Sequence, residues 1–238
     1  MKPRFSLMLG PLAAFLLLSW MLYLEAMGIG YSAAASEPVY LPEGAASAES
    51  AEPAQTCLLL YNGKEDGGDT LAEVEATLSQ MSVGYTALDI AESPLPGLDA
   101  YRTVVAAVMD FSPLGDQLIT LTDWVYGGGG MMLALCPEPT SNILAVKGRL
   151  GISSSNFNYM ENESFTIVSN LLPGGEGMAF NVPGFRFFSL AIGLTEDCVV
   201  HIRTNDESSH AILWHRDYGR GRFVVSTSTL FDSHKTTR

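Results

Sequence analysis

No lysine or arginine occurs between Arg4 and Lys64, and across the whole chain 13 cations face 26 carboxylates, a formal net charge of −13. A chain this acidic lacks the clustered cations that hold phosphate, which excludes nucleic acid as its main partner. Cysteine is scarce as well. Cys57, Cys136 and Cys198 are too few, and odd in number, for a disulfide framework even where oxidation is permitted. Each sits in an apolar, strand-like run and reads as a small buried hydrophobe. The four histidines, His201, His210, His215 and His234, show no H-x-x-x-H spacing and no paired cysteines, so no metal centre is expected. Cofactor fingerprints are missing too. The loop Gly63-Lys64-Glu65-Asp66-Gly67-Gly68-Asp69-Thr70 nearly matches a phosphate-binding loop, but Asp69 stands where a lysine must hold the terminal phosphates. Nor does the run Gly127–Gly130 continue into a dinucleotide-binding pattern with its acidic partner. No cofactor is expected.

What the chain does have is Lys2 and Arg4 followed by an uncharged run from Phe5 to Leu24. About twenty apolar residues at roughly 1.5 Å each span a hydrocarbon core of about 30 Å, and cations on the short flank keep that end in the cytoplasm. The expectation is a membrane anchor through residues 5–24, or a signal peptide cut near Ala33-Ala34-Ala35, with the remainder outside. Residues 1–30 form this leader and residues 31–55 an Ala/Ser/Glu/Pro tether, which cannot bury enough apolar surface to offset its chain entropy. Residues 56–238, about 180 in all, suit one ordinary globular domain.

Within that domain strands and helices alternate. Cys57 to Tyr61, Tyr85 to Ile90, Thr103 to Val108 and Met131 to Leu135 read as strands, mostly continuous apolar runs of the kind covered on both faces. Thr70-Leu71-Ala72-Glu73 has the form of a capping box, with Leu71, Val74, Leu78 and Met81 on one helical face. Ser112 is expected to cap a helix with Pro113 at its first position and Leu114, Leu118, Leu121 and Val125 as its stripe, stopped by Gly127. Ser141 to Leu150 reads as another helix. After Gly151 short β-rich runs replace the helical period: Phe165–Val168, Met178–Val182, Val199–Arg203, Ala211–Trp214 and Phe223–Ser226, the last two around a hairpin turn at Asp217–Gly221. The predicted fold is α/β: a flavodoxin-like open parallel sheet with helices on both faces and an antiparallel β extension at the C-terminal end. Right-handed crossovers then place the ends of strands one and three at a topological switch point, where such folds bind ligands.

Asn62 and Glu65 from the first loop and Asp110 from the end of strand three face that crevice and are the candidate ligand-binding residues; capping and hydration would explain them equally. Cys136, at a strand end before a helix, stands where a nucleophile could be, with His234 and Asp232 as base and orienter. Its neighbours Leu135 and Pro137 are not the small residues a strained elbow needs, and a structural thiol is the competing reading. Phe185, Phe187 and Phe188 would form a sugar platform if exposed, and core packing if not.

Trp124-Val125-Tyr126 before the glycine run, Met131 to Leu135 after it, and Tyr218-Gly219-Arg220-Gly221-Arg222-Phe223-Val224-Val225 together resemble class I glutamine-amidotransferase-like domains over Cys57 to Asp232. The Gly-x-Cys-x-Gly nucleophile motif of true amidotransferases is absent, so the resemblance does not carry their activity. The anchor, the acidic tether and the ending Leu230-Phe231-Asp232-Ser233 look like the front of an uncharacterised bacterial family. In that family such a domain precedes a polysaccharide-deacetylase-like domain and is associated with exopolysaccharide production. This implies a catalytically silent module on the outer side of the bacterial plasma membrane that binds a glycan or an envelope-protein partner. It also implies that a deacetylase domain would follow Arg238, with its metal residues outside this chain. The rival expectations are a Cys136-dependent hydrolase and a sensory or scaffold module.

Overall fold

The computed structural model describes residues 57–65, 68–161, 163–170, 174–181 and 186–226. The anchor run, the tether, Asp232 and His234 lie outside the described residues, and no described helix is long and apolar enough to cross a membrane. The architecture is mixed α/β, built on a nine-stranded sheet in the order β2-β1-β3-β4-β11-β10-β9-β6-β7. Strands β1 (Cys57–Tyr61), β2 (Tyr85–Asp89), β3 (Thr103–Ala107) and β4 (Gly130–Leu133) run parallel, as expected for segments covered on both faces. Alternation sorts their side chains. Leu58, Leu60, Val104, Ala106 and Met131 join one core layer, while Cys57, Leu59, Val105 and Met132 join the other.

Each layer has its own helices. Helix α1 (Gly68–Gln80) buries Val74 and Leu78 in the second layer; helices α2 (Gln117–Tyr126) and α3 (Ser141–Val146) bury Leu118, Leu121, Val125, Ile143 and Val146 in the first. Helix α1 begins at Gly68, so Thr70 lies inside its first turn rather than at the cap. Residues 112–114 form a separate 3-10 turn with Phe111 at its N-cap position. Gly115, at φ +50°, breaks the path before α2 starts at Gln117, so the apolar stripe from Leu114 crosses two elements. Helix α3 closes at Val146, four residues short of the expected end.

The second half corrects the sequence expectation in two ways. Strand β11 (Gly221–Ser226) is not part of an antiparallel fringe: it pairs parallel with β4, Arg222 opposite Gly130 and Val225 opposite Leu133. Only β10 (Ala211–Tyr218), β9 (Cys198–Thr204), β6 (Ser164–Ile167) and β7 (Ala179–Asn181) extend the sheet antiparallel. In addition, β5 (Ile152–Glu161) and β8 (Arg186–Leu194) form a separate two-stranded antiparallel sheet. The polar run Ser153-Ser154-Ser155-Asn156 carries little of the apolar alternation that marks a strand.

The hairpin between β10 and β11 explains its own sequence. Gly219 turns at φ +63°, and a Cβ on Gly221 would fall 2.0 Å from the Val125 carbonyl oxygen and 2.2 Å from that of Gly129. That close approach lets the Arg220 N–H donate to the Tyr126 carbonyl at 3.0 Å and the Arg222 N–H to Gly129 at 3.2 Å. Tyr218 meets Tyr126 edge to face at 5.2 Å between centroids. The Tyr-Gly-Arg-Gly segment is thus a brace that holds the end of α2 to the N-terminal end of the parallel strands.

Candidate functional site

Strand β1 has β2 on one side and β3 on the other, so the loops leaving β1 and β3 diverge over the C-terminal edge of the sheet. The structure brings Asn62, Glu65 and Asp110 together there. The Glu65 carboxylate accepts the Met109 N–H at 3.1 Å on one oxygen, and on the other the Asp110 N–H at 2.6 Å and the Asn62 side-chain amide at 3.1 Å. The same Asn62 amide donates to the Asp110 carbonyl at 3.1 Å, and Asn62 Oδ1 accepts the Lys64 N–H at 3.1 Å. Asp110 Oδ1 accepts the Ser112 N–H at 2.8 Å. On the β2 side, Asp89 Oδ1 accepts from the N–H groups of Gly63 and Ala91 at 3.0 and 2.9 Å. Burial pushes the Glu65 carboxyl above its ordinary range, against the pull of the hydrogen bonds from Met109, Asp110 and Asn62.

Chemically this is an occupied anion seat. Two successive backbone N–H groups at the end of β3 could hold a ligand's carboxylate or phosphate, and the chain's own Glu65 sits on them. Sequence reasoning identified the three residues but not this pairing, which joins side chains to backbone 44 and 45 positions away.

Cys136 lies beside this edge yet has no exposed surface and belongs to the first core layer. Its Sγ is directed to the Pro137 carbonyl at 3.8 Å. Among the described non-glycine residues only Ser82 and Ser209 have positive φ, so Cys136 does not stand on a strained nucleophile elbow. The partners expected for it, His234 and Asp232, lie outside the described residues, as do Phe185 and the side chains of Phe187 and Phe188.

A feature that the sequence did not signal lies on β9 and β10. His201, 3 % exposed, shares its Nδ1 with Ser169 Oγ at 2.6 Å and its Nε2 with His215 Nδ1 at 2.7 Å, the two rings being near-parallel. Burial first, then His215 and Arg222, pull its pKa down to about 3, so it is a neutral connector and a poor base. Only the β9–β10 pairing brings residues 201 and 215 together, and their spacing in sequence gives no hint of it. Among the described residues no group of three or more His, Cys, Asp or Glu is placed to hold a metal ion.

Residues 45–234 match the sequence profile of a family described as an uncharacterised protein conserved in bacteria (DUF2194). The chain belongs to that family. No curated protein sequence matches this DUF2194 member. Among solved structures it is similar to a protein described as ThuA-like from Bacteroides uniformis, with a TM-score of 0.54 and 14% identity over 78% of this chain and 86% of the other. A cytoplasmic protein of Salmonella typhimurium gives 0.53 and 13%, covering 71% and 86%. The β-galactosidase of Bacillus circulans sp. alkalophilus gives 0.52 and 12% over 73% of this chain, which spans only 28% of that enzyme. At these identities the likeness is one of α/β fold.

Proposed function

We propose that this DUF2194 member is a non-catalytic, extracytoplasmic binding or positioning module of a cell-envelope protein linked to polysaccharide modification. The observation that carries the reading is the state of the switch-point edge: its anion seat holds Glu65 and its cysteine is buried. An edge closed in this way keeps the shape of a ligand-binding α/β domain while offering no primed nucleophile. The strand order β2-β1-β3-β4-β11 supports the flavodoxin-like, amidotransferase-like reading of the parallel half. The uncharged run at residues 5–24 supports anchoring with the domain outside. Occurrence of a similar fold within the longer chain of a β-galactosidase fits a service role beside glycan chemistry.

The test uses the full chain in its native membrane. Cross-linking followed by mass spectrometry should recover the same envelope glycans or proteins from wild type and Cys136→Ser, and an alkylating probe should leave native Cys136 unlabelled. Labelling of Cys136, together with a hydrolytic activity lost in Cys136→Ser, would replace this reading with a cysteine hydrolase. Recovery of signalling or assembly proteins without any glycan would replace it with a sensory or scaffold module.

A further inference from the structure

The opposite, N-terminal end of the parallel strands is built differently. Trp124, in the last turn of α2, lies flat against Gly129: a Cβ there would sit 2.5 Å from three carbons of the six-membered ring. Only glycine permits that approach, and the indole packed against it remains partly exposed. Two cavities, of about 530 and 590 Å³, meet at Trp124 and Asp99. Each is in the common size range of ligand pockets, about 300–1,000 Å³. Tyr101 and Arg102 line the first and Gln117 and Asp123 the second.

The polar groups here are mostly uncommitted. Among the described residues the Trp124 indole N–H, the Tyr101 hydroxyl and the Arg102 guanidinium make no hydrogen bond or ion pair. The contrast is Trp214, fully buried, whose indole N–H donates to the Leu150 carbonyl at 3.0 Å. A buried tryptophan in this fold thus finds a partner, whereas Trp124, packed on one side against Gly129 and the first core layer, leaves its donor and its exposed remainder to the groove. Asp123 is held by Arg149 at 2.5 Å, whereas Asp99 is exposed.

We infer that this groove binds a neutral oligosaccharide, with Trp124 and Tyr101 as the stacking surface and Asp99 and Arg102 as hydroxyl partners. A pyranose has an apolar C–H face and a rim of hydroxyls that both donate and accept. An aromatic plate flanked by a carboxylate and a guanidinium matches both halves of that pattern, and two joined cavities give room for more than one ring. An anionic sugar is disfavoured, because the Arg102 charge is already matched by exposed Asp99, Asp123 is paired with Arg149, and the chain as a whole carries a net charge of −13. The inference rests on the proposed glycan-side role, and the experiment separates the two.

The full chain in nanodiscs is titrated with cellohexaose, N-acetylchitohexaose and hexagalacturonate, by calorimetry and by tryptophan emission. Of the three tryptophans, Trp214 is buried and Trp20 lies in the uncharged run, so a binding-linked emission change reports Trp124. At least one neutral hexamer should bind and shift the emission, and hexagalacturonate should bind more weakly. Trp124→Phe should keep Kd within about threefold and lose the emission change. Trp124→Ala should weaken binding about tenfold or more. The exposed changes Arg102→Ala and Asp99→Asn, which do not endanger folding, should each weaken it about threefold. Undiminished binding by Trp124→Ala and Arg102→Ala overturns the groove as the site and leaves the glycan-side role standing. Failure of both neutral hexamers to bind wild type overturns the groove and the glycan role together. Preference for hexagalacturonate overturns the neutral-sugar assignment.

Discussion

The two ends of the parallel strands use their polar groups in opposite ways. At the C-terminal edge Asn62, Glu65, Asp89 and Asp110 are tied to backbone N–H and carbonyl groups of neighbouring loops, leaving a knitted surface. At the N-terminal end the brace of Gly219 and Gly221 against α2 frames a groove in which Trp124, Tyr101 and Arg102 keep their donors. In open α/β sheets ligands ordinarily meet the C-terminal edge. Here the residues expected for that role secure the loops, and the unsatisfied chemistry lies at the other end. Position in a fold indicates where to look, whereas the hydrogen-bond inventory decides whether anything remains to bind with.

The contrast can be broken in order of size. Gly221→Ala should be the most damaging, since its Cβ meets two carbonyl oxygens at 2.0 and 2.2 Å. A loss of about 3 kcal/mol or more in urea unfolding is expected, with altered Trp124 emission as the brace is pried off. An unchanged midpoint would mean the hairpin does not frame the groove. Glu65→Ala should cost about 2 kcal/mol by orphaning the Met109 and Asp110 N–H groups, and Glu65→Gln about half as much. A knitted edge requires that loss to appear in stability; a variant of wild-type stability that loses a ligand would reassign Glu65 to binding.

Acid should separate the sheet's two halves. Because His201 has its pKa lowered from 6.5 to about 3, the unfolded chain takes up a proton in that interval and the folded chain does not. Its contribution is therefore intact above pH 6.5 and falls as pH drops toward 3, by up to about 1.4 kcal/mol per pH unit. Glu65 has the opposite sign: burial raises its pKa above the ordinary 4.5, so the folded state takes up the proton at a higher pH than the unfolded chain, which favours folding as pH falls through that window. His201→Gln should flatten the stability profile below pH 6.5, read from urea unfolding at successive pH values; an unaltered slope would remove the histidine pair from the account. The smallest effect is chemical. Native alkylation followed by peptide mass mapping should modify half-buried Cys198 slowly, its thiol pKa being raised by burial, and leave Cys57 and Cys136 untouched.

The parallel half was legible because β1, β3 and β4 are continuous apolar runs, and a strand covered on both faces needs no alternation to be recognised. What escaped were facts about partners. Phe223–Ser226 reads as a strand, which the structure begins two residues earlier at Gly221, but nothing local says that it pairs parallel with β4. The β5–β8 arm escaped because Ser153, Ser154, Ser155 and Asn156 carry a weak apolar signal. At the site, Asn62, Glu65 and Asp110 were legible from their loops. Their mutual bonds were not, because Glu65 reaches across 44 and 45 residues to its donors. Trp124 was noticed as a motif residue, but its exposure depends on Gly129 and on cavities formed by residues from 95 to 130.

The placement of β11 bears on how the molecule is made. Residues 221–226 fill the slot between β4 and β10, so the sheet's middle is closed by a segment synthesised about ninety positions after the neighbour it joins. Until it arrives, Gly130–Leu133 presents an open flank of unpaired amides that any extended peptide could occupy. A lesion that delays Phe223 or Val225 should therefore surface as lost yield rather than as a damaged groove.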